Sequence, residues 1–188
     1  MESVPTGAGG EQGREVAVLG LGNVLMGDDA LGPFVVQLLQ AHYDFPPGVS
    51  VIDAGTPGLD LTPFILGTRA LVVVDTVKAD GPPGTLRLYR KDELLATPPA
   101  PRLSPHDPGL KETLLLLDFR GDGPSDVLLV GVVPGVVDTR LGLGPELRSV
   151  LPAVERAVVD ELTRLGVPAR RREAPAEPEP WWERPPGA

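Results

Sequence analysis

Four aspartates and one histidine are the groups in this chain best placed to do chemistry: Asp28, Asp29, Asp53, Asp75 and His106. Asp28 and Asp29 follow the first apolar run, Asp53 lies near the end of the second, and Asp75 near the end of the third. In an open α/β sheet, ligands bind beyond the carboxyl ends of the strands, so all four acids fall on one predicted rim. Each alone serves equally well as a helix cap or turn former. Together they repel, and such gatherings are usually kept where a cation or a shared proton compensates. His106 sits in Leu103-Ser104-Pro105-His106-Asp107, just before a predicted helix. An imidazole plus two carboxylates, with positions left open, suits a borderline divalent metal such as nickel or zinc. The other histidine, His42, closes an amphipathic stretch and reads as a helix-end or surface residue.

Rival chemistries fail on particular residues. Gly20-Leu21-Gly22-Asn23-Val24-Leu25-Met26-Gly27-Asp28-Asp29 follows a strand and opens a helix, as nucleotide-binding loops do. The dinucleotide pattern needs its third glycine where Leu25 stands, and a P-loop needs Lys then Ser or Thr where Asp28 and Asp29 stand. Two carboxylates there repel phosphate and favour a cation or a basic peptide. No G-x-S-x-G elbow is present, and Ser104 is too near His106 in sequence to presume a catalytic triad. The chain has no cysteine, which removes disulfides, thiolate metal sites and a cysteine nucleophile.

The elements that must position these groups are legible from hydropathy. Val16–Gly20, Val49–Ala54, Ala70–Val77 and Asp126–Val133 are short apolar runs of buried-strand type. Ala70–Val77 is continuous and β-branched, as in a strand buried on both faces, whereas Thr85–Tyr89 alternates and suits an edge or antiparallel strand. Helical spacing marks Leu31–His42, a short segment carrying Leu61, Phe64 and Ile65, a helix near Gly109–Asp118, and Pro145–Leu165. Pro152 is expected to kink or split the last of these. Strands alternating with helices predict an α/β fold with a mostly parallel sheet and helices on both faces.

The 188 residues suit one domain, with 41% apolar residues and a net charge of −9. That charge opposes binding to nucleic acid or an anionic membrane, and favours a neutral or basic surface or a cation. No run approaches the roughly 20 apolar residues that span a bilayer, and the first 15 residues lack the apolar core of a signal peptide, so a cytoplasmic protein is expected. Residues 1–14 and 168–188 are expected to be disordered, the latter because its proline and charge bury too little apolar area, leaving a domain over 15–167. Trp181 and Trp182 are anomalous in such a tail: they are either solvated or an aromatic anchor.

The ordered set of motifs resembles the nickel–iron hydrogenase maturation endopeptidases. It runs from Leu19-Gly20-Leu21-Gly22-Asn23 through Gly27-Asp28-Asp29-Ala30-Leu31-Gly32, Asp53-Ala54-Gly55-Thr56-Pro57-Gly58, Val74-Asp75-Thr76-Val77, Gly84-Thr85 and Ser104-Pro105-His106 to Val130-Gly131-Val132-Val133-Pro134. The resemblance covers about Val16 to Leu165. It implies a three-layer α/β/α fold of phosphorylase/hydrolase-like type, around a twisted, mostly parallel sheet of about five strands. It further implies an aspartic-type, metal-dependent peptidase that trims the C-terminal extension of an immature hydrogenase large subunit once nickel is installed. On that reading nickel arrives with the substrate, Asp29, Asp75 and His106 contact the metal, and Asp53 and Asp75 serve cleavage. A monomer suits a protein that must admit a large partner. The family usually has Glu where this chain has Asp29, one methylene shorter, and Asp28 is a possible substitute. That departure admits an alternative, a non-catalytic nickel-dependent docking or checkpoint protein. A peptidase or amidase holding its own metal is a third reading.

Overall fold

A computed structural model describes residues 15–56, 61–96, 107–178 and 180–183. Seven strands and five helices are named here in chain order: β1 (Val16–Leu21), α1 (Leu31–His42), β2 (Tyr43–Asp44), β3 (Val49–Gly55), α2 (Thr62–Ile65), β4 (Ala70–Thr76), β5 (Leu86–Arg90), α3 (Lys91–Ala96), α4 (Asp107–Arg120), β6 (Asp126–Val132), α5 (Pro145–Arg164) and β7 (Arg170–Arg171).

The main sheet has five strands in the order β3-β1-β4-β6-β5, all parallel except β5, which runs antiparallel to β6. Hydropathy explains who sits where. The unbroken apolar runs of β1, β4 and β6 occupy the centre, where both faces are covered by protein. The edges go to β3 and β5, whose side chains are less buried. Side chains alternate across a strand. Val16, Val18, Val72, Val74, Leu128 and Val130 therefore pack under α1 and α5, while Ala17, Leu19, Leu71, Val73, Val127 and Leu129 pack under α2, α3 and α4. Three layers follow from that division.

Two glycines set how closely α1 can lie on the sheet. A Cβ on Gly20 would run into the carbonyl of Gly32, and one on Gly32 into the backbone of Leu21 and Val74. Strand and helix touch backbone to backbone there, which seats the start of α1 against the carboxyl ends of β1 and β4. From that seat α1 buries Leu31, Phe34, Val35, Leu38 and Leu39, the larger of them contributing about 2 kcal/mol each.

The expected break at Pro152 is absent: α5 runs unbroken from Pro145 to Arg164. Pro152 removes the hydrogen bond to the carbonyl of Arg148, but both residues are exposed, so water can satisfy that oxygen. The buried face, formed by Leu147, Leu151, Val154, Val158 and Leu162, is uninterrupted.

The tail also differs from its composition. Beyond Pro168, β7 pairs antiparallel with β2, Arg170 and Arg172 each reach Asp44 at 3.0 Å, and the Arg171 guanidinium lies over the Tyr43 ring. Hydrogen bonds from Arg172 hold the Asp44 carboxyl below its ordinary range, with Arg170 adding to the effect. Further on, Trp182 is 3% exposed and belongs to the core under α1 and α5, while Glu183 bonds Arg148 at 2.6 Å. The described part of the tail is a strap laid across the outer helices. Residues 1–14 and 184–188, where disorder is also expected, lie outside the described residues. Among the described residues, no helix is long and apolar enough to cross a membrane.

Candidate active site

The chain leaves β1 toward β3 on one side, and β4 returns on the other. The crevice between the carboxyl ends of β1 and β4 is therefore the topological switch point, where ligands of such sheets bind. Two of the predicted acids converge on it. Asp29, in a 3-10 turn (Gly27–Ala30) after β1, accepts hydrogen bonds from the Asn23 N–H at 2.9 Å and from the Thr76 hydroxyl at 3.3 Å. Asp75, next to Thr76 at the end of β4, is 1% exposed and accepts the N–H of Thr76 at 2.7 Å. Thr76 thus connects the two acid-bearing segments across the switch point. It carries no charge and no spacing signal, so only the fold reveals that role.

The loop before Asp29 is shaped to deliver it. Gly22 has φ near +143°, and a side chain there would occupy the position of the Asp29 carbonyl. The Asn23 side chain caps the turn by accepting the Leu25 N–H at 3.0 Å. These constraints bring the loop back over the end of β1.

Asp28 has a different occupation. One of its oxygens accepts the N–H groups of Gly135 and Val136 at 2.7 and 2.9 Å, and the other accepts that of Gly144 at 2.7 Å. Arg140 stands 3.7 Å away. Asp28 is 1% exposed, so these partners replace water around a buried carboxylate. The arrangement makes it a clamp between the first loop and the loop after β6, rather than a second candidate for metal contact beside Asp29. Glycine at 135 and 144 eases the approach, since a Cβ on either would stand 3.1 Å from a carboxylate oxygen, a tight contact.

Asp53 pairs in register with Gly20, which pairs with Val74 on the other side. Paired residues share a sheet face, so Asp53 is on the α1 side, two strands from β4 and about 10 Å across. It is exposed, and its carboxyl accepts the Gly55 N–H at 2.9 Å. Partial burial desolvates that carboxyl and raises its pKa above the ordinary aspartate value, which the Gly55 hydrogen bond partly offsets. Asp75, by the same alternation, lies on the face of α2, α3 and α4. The rim acids therefore straddle the edge of the sheet instead of sharing one face.

His106 lies outside the described residues. Its neighbour Asp107 opens α4. The far end of α4 is tied to the amino edge of the sheet, where Asp118 accepts from Lys91 at 2.7 Å and five residues lead into β6. The start of α4 consequently points toward the carboxyl edge, on the Asp75 face. Among the described residues, no three Asp, Glu, His or Cys side chains gather closely enough to hold a metal ion. The described donors are two carboxylates, hard oxygen ligands that would need a nitrogen donor to favour nickel over magnesium or calcium. His42 is engaged elsewhere: its Nδ1 is 2.9 Å from Glu155, joining the end of α1 to α5.

Comparison with known proteins follows the same outline. A family model described as hydrogenase maturation protease matches residues 33–161. The hydrogenase expression/formation protein HupD of Thiocapsa roseopersicina is 38% identical over 161 residues, covering 85% of this chain and 72% of that protein. The hydrogenase 2 maturation protease of Escherichia coli is 35% identical over 161 residues, covering 85% of this chain and 97% of its own. Among solved structures, the hydrogenase maturating endopeptidase HybD from E. coli superposes with a TM-score of 0.76 at 31% identity, covering 84% of this chain and 98% of that one.

Proposed function

Because the chain belongs to the hydrogenase maturation protease family, we propose that it removes the C-terminal extension of an immature nickel–iron hydrogenase large subunit after nickel insertion. The protein is a peptidase by family; the substrate, the timing and the chemistry are our reading. The observation that carries it is the meeting of Asp29 and the Asp75–Thr76 segment at the switch point, through the Thr76 hydroxyl.

In this mechanism nickel is part of the substrate. Asp29 and Asp75 supply carboxylates at the crevice, and His106 supplies the nitrogen that the donor set requires. Docking on the nickel places the peptide that follows it along the rim, converting cleavage into a positioned, effectively intramolecular event. Asp53, an exposed carboxylate of the rim, takes a proton from the attacking water. Water adds to the scissile carbonyl, and the C–N bond breaks as the proton passes to the leaving amine. Asp28 takes no part in these steps and keeps the two rim loops together.

The test is to incubate the protein with nickel-loaded and nickel-free precursor and weigh the large subunit by mass spectrometry. Trimming of the loaded form alone is expected, and Asp75→Asn should abolish it with the fold intact. Equal trimming of both forms would defeat the nickel-sensing role. An untrimmed subunit that still binds the protein in a nickel-dependent way would favour a docking or checkpoint function.

A further inference from the structure

Exposed large apolar side chains are not scattered evenly over this molecule. Leu25, Val136, Val137, Leu141 and Trp181 are all exposed, from 43% at Val136 to 65% at Trp181. The first four belong to the two loops that Asp28 clamps. Arg140 donates its N–H to the carbonyl of Leu25 and accepts that of Gly27, and Asp28 donates to the carbonyl of Val136. Trp181 reaches the same border by another route. It sits in the 3-10 turn (Trp181–Glu183) whose Trp182 is buried and whose Glu183 carboxylate stands against Gly142 and bonds Arg148. The strap therefore spends one tryptophan on the core and presents the other, 65% exposed, beside the rim loop. Trp181 lies beyond the stretch that the family model matches.

We propose that these five residues form an apolar collar beside the catalytic crevice, on which the folded body of the protein substrate docks while its C-terminal segment enters the crevice. The proposal rests on the function proposed above. Its occupant follows from continuity: the loop that presents Val136 and Val137 is the one whose amides hold Asp28, next to Asp29. A folded substrate that sends its tail into the crevice must lay its surface on what borders it. An apolar patch rimmed by charges, here the paired Asp138 and Arg140, is the usual form of a protein-binding surface. A second exposed apolar group, Leu115, Leu116 and Phe119, occupies α4. Phe119 is about 18 Å along that helix from its start at the carboxyl edge, too far to border the crevice.

The test measures Kd for the nickel-loaded precursor by biolayer interferometry, and kcat and KM for its trimming. The proteins are the full chain, the double variant V137S/L141S, Trp181→Ala, and Phe119→Ser. The collar variants are expected to raise Kd and KM about tenfold or more, the scale of losing an apolar anchor, with kcat within about twofold. Phe119→Ser should match the parent chain. Trp181→Ala keeps the proposal testable if the double variant does not fold, because that side chain is exposed. Unchanged Kd in the collar variants, a fall in kcat alone, or weakening by Phe119→Ser instead would overturn the collar. If the parent chain binds the precursor without trimming it, the proposed function fails while Kd still judges the collar. If the parent chain does not bind at all, the collar fails too.

Discussion

Neighbouring aspartates in one turn carry different burdens here, and the difference lies in what their oxygens touch. Asp28 accepts three backbone N–H groups from one distant loop, while Asp29 accepts one from its own loop and a hydroxyl from β4. Removing Asp28 would strand three amides, two of them in the segment that borders the crevice. Asp28→Ala is expected to lower unfolding stability by about 3 kcal/mol or more, measured by urea denaturation. Asp53 makes the opposite prediction. Its raised pKa means that the folded state binds its proton more tightly than the unfolded state does. Stability from this group therefore falls as pH rises from the ordinary aspartate value through the raised one, and the penalty is fully present at neutral pH. Asp53→Asn should raise the neutral-pH melting temperature while abolishing trimming, and the stabilisation should vanish in melts run below the ordinary aspartate pKa. A lower melting temperature at pH 7 would contradict that assignment.

At the scale of elements, the strap is the feature that composition conceals. Its arginines find partners in β2, and Trp182 finds a niche among residues from α1 and α5. Trp182→Ala is expected to cost about 3–5 kcal/mol, the range for emptying a buried aromatic site. Trp182→Phe should cost far less, since the indole N–H has no partner among the described residues. Equilibrium unfolding of both variants checks this, and equal small losses would mean that the strap is not anchored. The central strands behave differently from the strap. Their burial is set by local composition, so any fold that stacks them must place them in the middle.

For the whole molecule, the proposed chemistry divides the metal from the machinery. If nickel belongs to the substrate, treating the protein with a chelator and removing it before mixing should leave trimming of loaded precursor unchanged. Stripping the precursor instead should stop it. Loss of activity after chelation of the protein alone would point to a resident metal. The net charge of −9 agrees with a cationic or neutral target and says nothing about the fold.

The sequence by itself determined the order and type of the main elements, the central position of β4, the edge position of β5, and the family. Those features depend on hydropathy period and on short motifs, which are local properties. It also placed Asp53 and Asp75 near the carboxyl ends of strands and Asp29 in the loop after β1, because chain order puts them at or beyond the ends of apolar runs. Tertiary structure alone decided that Thr76 connects Asp29 to the end of β4, that Asp28 clamps a loop more than 100 residues away, and that Asp53 and Asp75 lie on opposite faces. It also decided that α5 passes Pro152 unbroken and that a proline-rich tail carries a core tryptophan. Pro152 apart, where an exposed carbonyl is left to water, the partner is remote in sequence and the energy comes from a contact that no local window contains.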